Sequence, residues 1–262
     1  MSYMSTKIAI AGAMGRMGLN LIQSALKNEK TEIVGIFDID NIDQTFLSST
    51  RLKEGIATNK ESSFERADVV IDFTTPKALF SFTEAAVSHN TSLVIGTTGL
   101  EDQHFKLLQQ AGKSVPIFYA PNMSFGVNSF FNLARKAASH LKDFDIEIIE
   151  THHRYKKDAP SGTAIKLGQE IANELKLSEK NFIYDRQQNN NERSKNEIGF
   201  SSIRGGNIPG EHTVIFHGDN ESIEISHKAF NRKIFSDGAI EASIWISQQK
   251  KGLYDYKDMI NK

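Results

Sequence analysis

The pattern of hydrophobic positions along the first 123 residues switches repeatedly between strand and helix spacing. Short apolar runs of strand length lie at 7–11, 32–37, 67–73, 92–96 and 115–120. Between them apolar residues recur at helical spacing, and after the first run these residues are Met17, Leu21, Ile22 and Ala25. Strands that alternate with helices in this way predict a parallel sheet covered by helices, which is the Rossmann-type α/β arrangement.

The pattern changes after Asn128. A helical pattern at 130–137 leads into an alternating run at 143–150, which is typical of a half-buried strand. A helix follows Ser161, and strand patterns lie at 182–184, at 198–203 and on both sides of a hairpin turn at 218–221. The polar stretch 187–196 predicts a mobile surface loop.

These patterns predict two domains. Residues 1–123 together with 232–262 form the parallel-sheet domain, and residues 124–231 form an α+β domain with a largely antiparallel sheet. A final helix at 237–248 has Ile240, Ile244 and Trp245 on its inward side, and we expect it to pack on the first domain.

Three glycines follow the first strand pattern. Gly12, Gly15 and Gly18 have the spacing GxxGxxG and lead directly into a helical pattern, so a pyrophosphate could approach the backbone and the helix N-terminus closely. Met14 stands where the second glycine of GxGxxG would fall. Asp38 ends the second apolar run, twenty residues after Gly18, where a dinucleotide fold places the carboxylate that binds the adenosine ribose. The alternative for Asp38 is an aspartate that caps a turn.

The other strand patterns of the first domain also end in small polar residues. They are Phe73-Thr74-Thr75, Gly96-Thr97-Thr98 and Ala120-Pro121-Asn122. Each threonine turn taken alone is explained by helix capping. Because the carboxyl ends of parallel strands meet at one edge, their common location favours a cofactor cleft.

The segment 152–163 concentrates groups that bind anions and move protons. It reads HHRYKKDAPSGT, and Ser161 can cap the following helix so that the N–H groups of Gly162 and Thr163 stay free for negative charge. If the chain is still extended here, His152 and Lys156 lie on one side and His153 on the other. The alternative is a basic surface loop with a helix cap.

Composition excludes several classes of function. The 262 residues carry 31 Lys and Arg against 32 Asp and Glu, so the net charge of −1 gives no field for nucleic acid or an anionic membrane. Without cysteine there is no thiolate metal site and no thiol nucleophile. The chain also lacks the HExxH pattern and any apolar run near 20 residues, so we expect no metal, no membrane span and a cytoplasmic location.

The chain resembles the dihydrodipicolinate reductases, also called 4-hydroxy-tetrahydrodipicolinate reductases, of the diaminopimelate route to lysine. The resemblance covers nearly the whole length. It is carried by the strings GAMGRMG, IGTTG, APNMSFGVN, EIIETHHRYKKDAPSGTA, SIRGGNIPGEHTVIFHG and IEISHKAFNR.

The resemblance implies roles for particular residues. His152 and Lys156 would carry proton transfer, while His153, Gly162 and Thr163 would hold a cyclic dicarboxylate. The residues implied to contact NADH or NADPH are Gly12, Ala13, Met14, Gly15, Arg16, Met17, Asp38, Gly96, Thr97, Thr98, Ala120, Pro121, Asn122 and Met123. Members of the family are usually homotetramers built through the sheet of the second domain.

Asp38 determines the expected cofactor preference, because its charge repels a 2′-phosphate. It is followed by Ile39, where relatives that accept NADPH easily often carry Arg, although Arg16 could partly serve that role. We therefore expect NADH to be used at least as well as NADPH.

Two other functions compete with a reductase of an anionic cyclic imine. A dehydrogenase that acts on an aldehyde through a thioester would need the cysteine that this chain lacks. A binding module that senses NADH would use the glycine turn and Asp38, but it would have no use for the cluster of His152, His153 and Lys156.

Overall fold

The structure is a computed structural model that describes residues 5–187 and 191–261. Its strands are β1 (Thr6–Ala11), β2 (Thr31–Phe37), β3 (Val69–Asp72), β4 (Ser92–Ile95), β5 (Pro116–Tyr119), β6 (Asp145–His152), β7 (Phe182–Ile183), β8 (Ile198–Arg204), β9 (Gly210–His217), β10 (Ser222–Ala229) and β11 (Gly252–Tyr254). Its helices are α1 (Arg16–Ala25), α2 (Gln44–Thr50), α3 (Lys60–Arg66), α4 (Leu79–His89), α5 (Asp102–Ala111), α6 (Phe125–His140), α7 (Gly162–Glu174), α8 (Lys233–Ile246) and α9 (Tyr256–Ile260). The chain divides into two compact units, one within residues 1–125 and 233–262 and the other within 126–232.

The first unit is built on a parallel sheet. In the described residues its six strands have the order β11-β5-β4-β3-β1-β2, and every neighbouring pair is parallel. The chain turns one way from β1 to β2 and then crosses to the other side of β1 to form β3. This reversal leaves a crevice at the carboxyl ends of the strands, the usual ligand site of such sheets.

Both faces of this sheet are covered. Successive strand residues point to opposite faces, so Ile8 and Ile10 pack with α1 and α8, whereas Ala9 and Ala11 pack with α3, α4 and α5. Burial on both faces explains why the strands read as continuous apolar runs in the sequence. The predicted Rossmann-type unit is confirmed.

The second unit contains a five-stranded sheet in the described residues, with the order β10-β9-β6-β8-β7. Helices α6 and α7 cover one face, where Ile146, Ile148, Val214, Phe216 and Phe200 form the core. The α+β arrangement is confirmed, and the predicted hairpin is the antiparallel pair β9–β10. The sheet is mixed, because β6 pairs antiparallel with β9 but parallel with β8, which in turn pairs parallel with β7.

Several elements differ from the sequence prediction. Helices α2 and α3, strand β11 and helix α9 were not predicted, and α8 begins at Lys233 rather than at 237. The predicted mobile loop 187–196 lies partly outside the described residues, at 188–190. Beyond that gap Arg193 is only 19% exposed, and it pairs with Asp145 and Glu147 of β6. This end of the loop is therefore fixed to the sheet.

Candidate active site

The glycine turn joins β1 to α1 in the first unit. Gly12 has a φ of +67°, a conformation that favours glycine, and its N–H donates to the carbonyl of Phe37 at 2.9 Å. A Cβ on Gly18 would lie 2.2 Å from the Gly12 carbonyl oxygen, so the helix and the turn can be this close only without a side chain there. The result is a bare helix N-terminus at Arg16, a site that suits a phosphate.

Asp38 lies beside this turn, directly after β2. One carboxylate oxygen accepts the N–H of Met14 at 2.9 Å, and the other accepts the N–H of Ile39 at 2.8 Å. The structure thus brings Asp38 and the glycine turn together, as the sequence predicted. The contact with Met14 also gives Asp38 a structural role, since it holds the middle of the turn.

Further predicted cofactor residues follow the neighbouring strands at the same edge. Gly96, Thr97 and Thr98 come after β4, and Ala120 to Met123 come after β5. The hydroxyl of Thr97 donates to the Asp72 carboxylate at 2.9 Å, and Thr74 donates to it through both its hydroxyl and its N–H. Thr74 and Thr97 therefore bind Asp72, a role that helix capping does not account for.

Asp72 was missed by the sequence reasoning. It is the last residue of β3 and has no exposed surface, and burial raises its pKa against the opposing effect of the Thr74 and Thr97 hydrogen bonds. The sequence feature that could have pointed to Asp72 is a carboxylate inside the apolar run 67–73. Asp72 therefore connects the turns after β3 and β4.

In the second unit, β6 ends at His152, and the chain then turns. The N–H of Lys156 donates to the carbonyl of His153 at 3.1 Å, and the N–H of His153 donates to Ile208 at 2.8 Å. The conditional expectation that alternation would place His152 and Lys156 on one side and His153 on the other therefore does not apply. Lys156 lies in the turn that follows β6 and not on an extended continuation of the strand.

His152 forms part of a buried charge network. Its Nδ1 lies 2.6 Å from Oε2 of Glu150, and Arg204 forms two hydrogen bonds with the same carboxylate, at 2.8 and 2.6 Å. Burial acts to raise the pKa of Glu150, but hydrogen bonds from Arg204, His152 and Ser202 outweigh it and hold this pKa at about 2. Glu150 is therefore ionised at neutral pH.

Burial also lowers the pKa of His152, and it does so against the opposing effect of the Glu150 carboxylate. The positive charges of Lys156 and Arg204 lower this pKa further. Together these effects lower the pKa of His152 and favour the neutral imidazole over the imidazolium. Such a group can exchange a proton with a bound ligand.

The start of α7 lies next to this network. The Ser161 hydroxyl accepts the N–H of Ala164 at 3.2 Å, which confirms the predicted cap, and it lies 2.9 Å from Nε2 of His212. Burial and the nearby His152 lower the pKa of His212 to about 3, so this imidazole stays neutral. Gly162 and Thr163 form the first turn of α7, where the sequence predicted an anion site.

Lys156 and the helix start share one carboxylate within the chain. The Lys156 ammonium binds both oxygens of Asp158, at 2.8 and 2.9 Å, and Asp158 also accepts a hydrogen bond from the backbone of Gly162. The hydrogen bond from Lys156 lowers the pKa of Asp158. Lys156 and Gly162 therefore bind one carboxylate together, that of Asp158.

The second unit contains residues of this candidate site that the sequence did not predict. They are Glu150, Asp158, Arg204 and His212. Glu150 had a signal, because it is a charged residue at an inward position of an alternating strand. Arg204 had none, since its partner is 54 residues away.

Neither a metal site nor a membrane span is found in the part of the chain that the structure describes. No three His, Asp or Glu residues in 5–187 and 191–261 come together as metal ligands. Within the same ranges, no helix has both the length and the apolar character needed to cross a bilayer.

A doubly wound unit with a glycine turn, joined in one chain to a unit that carries an imidazole–carboxylate pair, defines a dinucleotide-dependent oxidoreductase. Two family models match the chain, "Dihydrodipicolinate reductase, N-terminus" over residues 6–123 and "Dihydrodipicolinate reductase, C-terminus" over 126–260. The chain belongs to the dihydrodipicolinate reductase family, as the sequence resemblance indicated.

Individual members of the family match this chain over nearly its full length. The chain is 43% identical over 262 residues to the 4-hydroxy-tetrahydrodipicolinate reductase of Rickettsia bellii, covering 98% of this chain and 97% of the relative. It is 42% identical over 266 residues to that of Buchnera aphidicola subsp. Cinara cedri, covering 98% and 97%. A dipicolinate-bound dihydrodipicolinate reductase from Paenisporosarcina sp. TG-14 has a similar structure, with a TM-score of 0.76, 28% identity and coverage of 96% and 98%.

Proposed function

We propose that this chain reduces 4-hydroxy-tetrahydrodipicolinate to tetrahydrodipicolinate with NADH or NADPH, in the cytoplasm, as a step of lysine biosynthesis through diaminopimelate. The observation that carries the proposal is that a buried His152, held by Glu150, lies near the carboxylate site of Lys156 and Gly162 in a member of this family. Turnover of this substrate by the purified chain is the experiment that tests it.

The first unit would bind the cofactor. The cradle at Gly12 and Gly18 fits a pyrophosphate, because backbone and helix N-terminus lie open where a Cβ would obstruct them. Asp38 would accept hydrogen bonds from the ribose hydroxyls, since each of its oxygens keeps a lone pair beyond the bonds to Met14 and Ile39. The turns at 96–98 and 120–123 would position the nicotinamide, which supplies the hydride when bound.

The second unit would bind the dicarboxylate. One substrate carboxylate would take the place of Asp158 between the Lys156 ammonium and the N–H groups of Gly162 and Thr163. His153 would hold the other carboxylate. The Paenisporosarcina relative supports this, because dipicolinate is a planar ring that carries two carboxylates.

Lys156 and His152 would handle the proton. Hydride arriving at the conjugated ring builds negative charge toward the ring nitrogen, and a nearby ammonium stabilises that charge. His152 would relay the proton that quenches it, taking up a proton at Nε2 from solvent and passing it to the substrate, and Lys156 would act as charge stabiliser or as proton donor. The Glu150 carboxylate stabilises the imidazolium that forms when His152 takes up a proton again.

Competition by dicarboxylates tests the substrate site. Pyridine-2,6-dicarboxylate should compete with the substrate while leaving the affinity for NADH intact or improved, because the second unit offers groups for two carboxylates. Pyridine-2-carboxylate is the matched control and should compete far more weakly. Equal inhibition by both compounds in steady-state assays would show that one carboxylate alone is recognised.

The choice of cofactor tests the role of Asp38. We expect NADH to be used at least as well as NADPH, because the charge of Asp38 repels a 2′-phosphate. Asp38→Ala should weaken NADH use and narrow the difference in kcat/KM between NADH and NADPH. Asp38→Asn keeps an oxygen that can accept the N–H of Met14 and removes only the charge. Ile39→Arg should improve NADPH use without structural cost, since Ile39 is 98% exposed. A preference of the unaltered chain for NADPH by about a hundredfold would contradict this role.

We also propose a homotetramer assembled through the second sheet. The face opposite α6 and α7 presents exposed residues, among them Ser201, Ile203 and Glu224, and Ile203 is 51% exposed. An apolar side chain on an open sheet face suits a subunit contact. Light scattering after size exclusion should give four chain masses, and Ile203→Glu should reduce this number. A monomeric unaltered chain would contradict the assembly.

A further inference from the structure

The Glu150 carboxylate lies among residues that would otherwise form an apolar core. Glu150 follows Ile146 and Ile148 on the helix-covered face of β6, and it is 1% exposed. An unpaired carboxylate at such a position is strongly destabilising, so its partners must compensate for the lost water. The identity of these partners shows what the carboxylate does.

Every acceptor position of this carboxylate is used. Oε2 accepts from His152 and Arg204, as described above, and Oε1 accepts from Arg204 and from the backbone N–H of Ser161 at 3.1 Å. With the hydrogen bond from Ser202, these four bonds leave no acceptor position of the ionised carboxylate free. Glu150 therefore cannot turn without losing a bond, and it connects the imidazole to the residue that caps α7.

The ionisation state of Glu150 determines which ring nitrogen of His152 carries the proton. A carboxylate is an acceptor only, so the short contact at Nδ1 requires the imidazole to carry its proton there. The neutral ring then keeps its lone pair on Nε2. A Cβ on residue 210 would lie 2.9 Å from that nitrogen, so a side chain there would crowd Nε2 and glycine avoids this.

We propose that Glu150, held in place by Arg204, is the positioning residue for His152, fixing the Nδ1–H tautomer and keeping Nε2 ready to exchange a proton with substrate. This inference rests on the proposed function. In the reactive cycle the protonated ring gives up its Nε2 proton, and the Nδ1 proton stays on the imidazole against Glu150. Glu150 itself takes up no proton.

Loss of the Glu150 charge should change how activity depends on pH. The charged and titratable groups around His152 are Glu150 on its own strand, Arg204 at the end of β8, His212 on β9 and Lys156 in the following turn. Glu150 is the only anion among these four, and it raises the pKa of His152 while Lys156 and Arg204 lower it. Without this anion the imidazolium is less stable, and the ionisation of His152 moves to lower pH.

The test compares the unaltered chain with Glu150→Gln. In ¹⁵N spectra of the histidine-labelled chain, neutral His152 should carry its proton on Nδ1, and Glu150→Gln should move protons toward Nε2 because an amide can donate to Nδ1. The kcat should fall by about 10²-fold or more, the size expected for a misplaced tautomer, with the His152 limb of the pH profile shifted to lower pH. The inhibition constant of dipicolinate should change by less than about fivefold.

Two further variants separate positioning from general damage. Glu150→Asp keeps an acceptor-only charge, so it should retain the Nδ1–H tautomer and exceed Glu150→Gln in kcat. Glu170→Gln removes another buried carboxylate, one that pairs with Lys166 in α7, and should leave kcat within about twofold and the His152 spectrum unchanged.

Several results would overturn the inference. They are an Nε2–H tautomer in the unaltered chain, a kcat of Glu150→Gln within about threefold of the unaltered value, and equal losses in Glu150→Gln and Glu170→Gln. The spectrum of the unaltered chain decides the tautomer even if Glu150→Gln does not fold. It needs no turnover, so failure of the proposed reaction would be recognised separately.

Discussion

His152→Gln is expected to lower kcat by about 10²- to 10⁴-fold, the range for loss of a general acid or base. The variant should still fold and bind NADH, because the glutamine amide can donate to Glu150 in place of the Nδ1–H. It cannot change its proton count near neutral pH, and so the proton transfer is lost. Steady-state kinetics and NADH titration on the same preparation measure both effects.

The adjacent histidine is the matched control. His153→Gln should act mainly on KM, since we assign His153 to holding substrate and its chain position differs by one residue. If His152→Gln and His153→Gln gave the same profile of kcat and KM, the catalytic assignment of His152 would be wrong.

Lys156→Ala is expected to have the second largest effect, with losses in both kcat and KM. A residue that only binds a carboxylate would chiefly raise KM, whereas one that stabilises developing charge or donates a proton also lowers kcat. Because Lys156 binds the Asp158 carboxylate, the same ammonium can bind a carboxylate of the ligand. Losing this ammonium should therefore weaken binding and slow turnover together.

Lys156→Arg distinguishes the two roles of this residue. Guanidinium keeps the positive charge and can bind a carboxylate, but it stays protonated and cannot donate a proton. We expect it to rescue KM better than kcat. Substitutions at His152, His153 and Lys156 could instead each change kcat/KM by less than about tenfold in folded, cofactor-bound variants. That result would show that this segment is only a basic surface loop.

The fold was predictable where local pattern and burial agree. The strands β1 to β5 are buried on both faces, so each reads as an apolar run, and the glycine turn and Asp38 follow two of these strands directly. The Ser161 cap was predictable because a cap and its helix are neighbours in sequence.

The elements that were missed bury little or depend on distant partners. Helix α2 has no buried residue, and α3 buries only Ser63 and Phe64, so neither shows a helical apolar stripe. Strand β11 has three residues and exists through its pairing with β5, more than 130 residues earlier. The parallel pair β6–β8 follows from the crossover through α7, which the alternation within each strand does not reveal.

The candidate active site was likewise predictable only where its residues are neighbours in sequence. The residues at 152–163 were predicted as a group because they are contiguous, but the charges that tune them come from elsewhere. Arg204 reaches Glu150 across 54 positions and Thr97 reaches Asp72 across 25. Long-range pairs of this kind have no sequence period, so the sequence predicted His152 as a candidate and did not predict the network of Glu150 and Arg204 that holds it.

The most direct test of the function follows NADH absorbance when the purified chain receives the freshly made product of dihydrodipicolinate synthase. The proposed function predicts a decrease that requires chain, NADH and fresh substrate together, and that pyridine-2,6-dicarboxylate suppresses. The Rickettsia bellii relative serves as the positive control for substrate quality. No decrease with this chain, with either NADH or NADPH, in a preparation that the control enzyme turns over would contradict the proposed function.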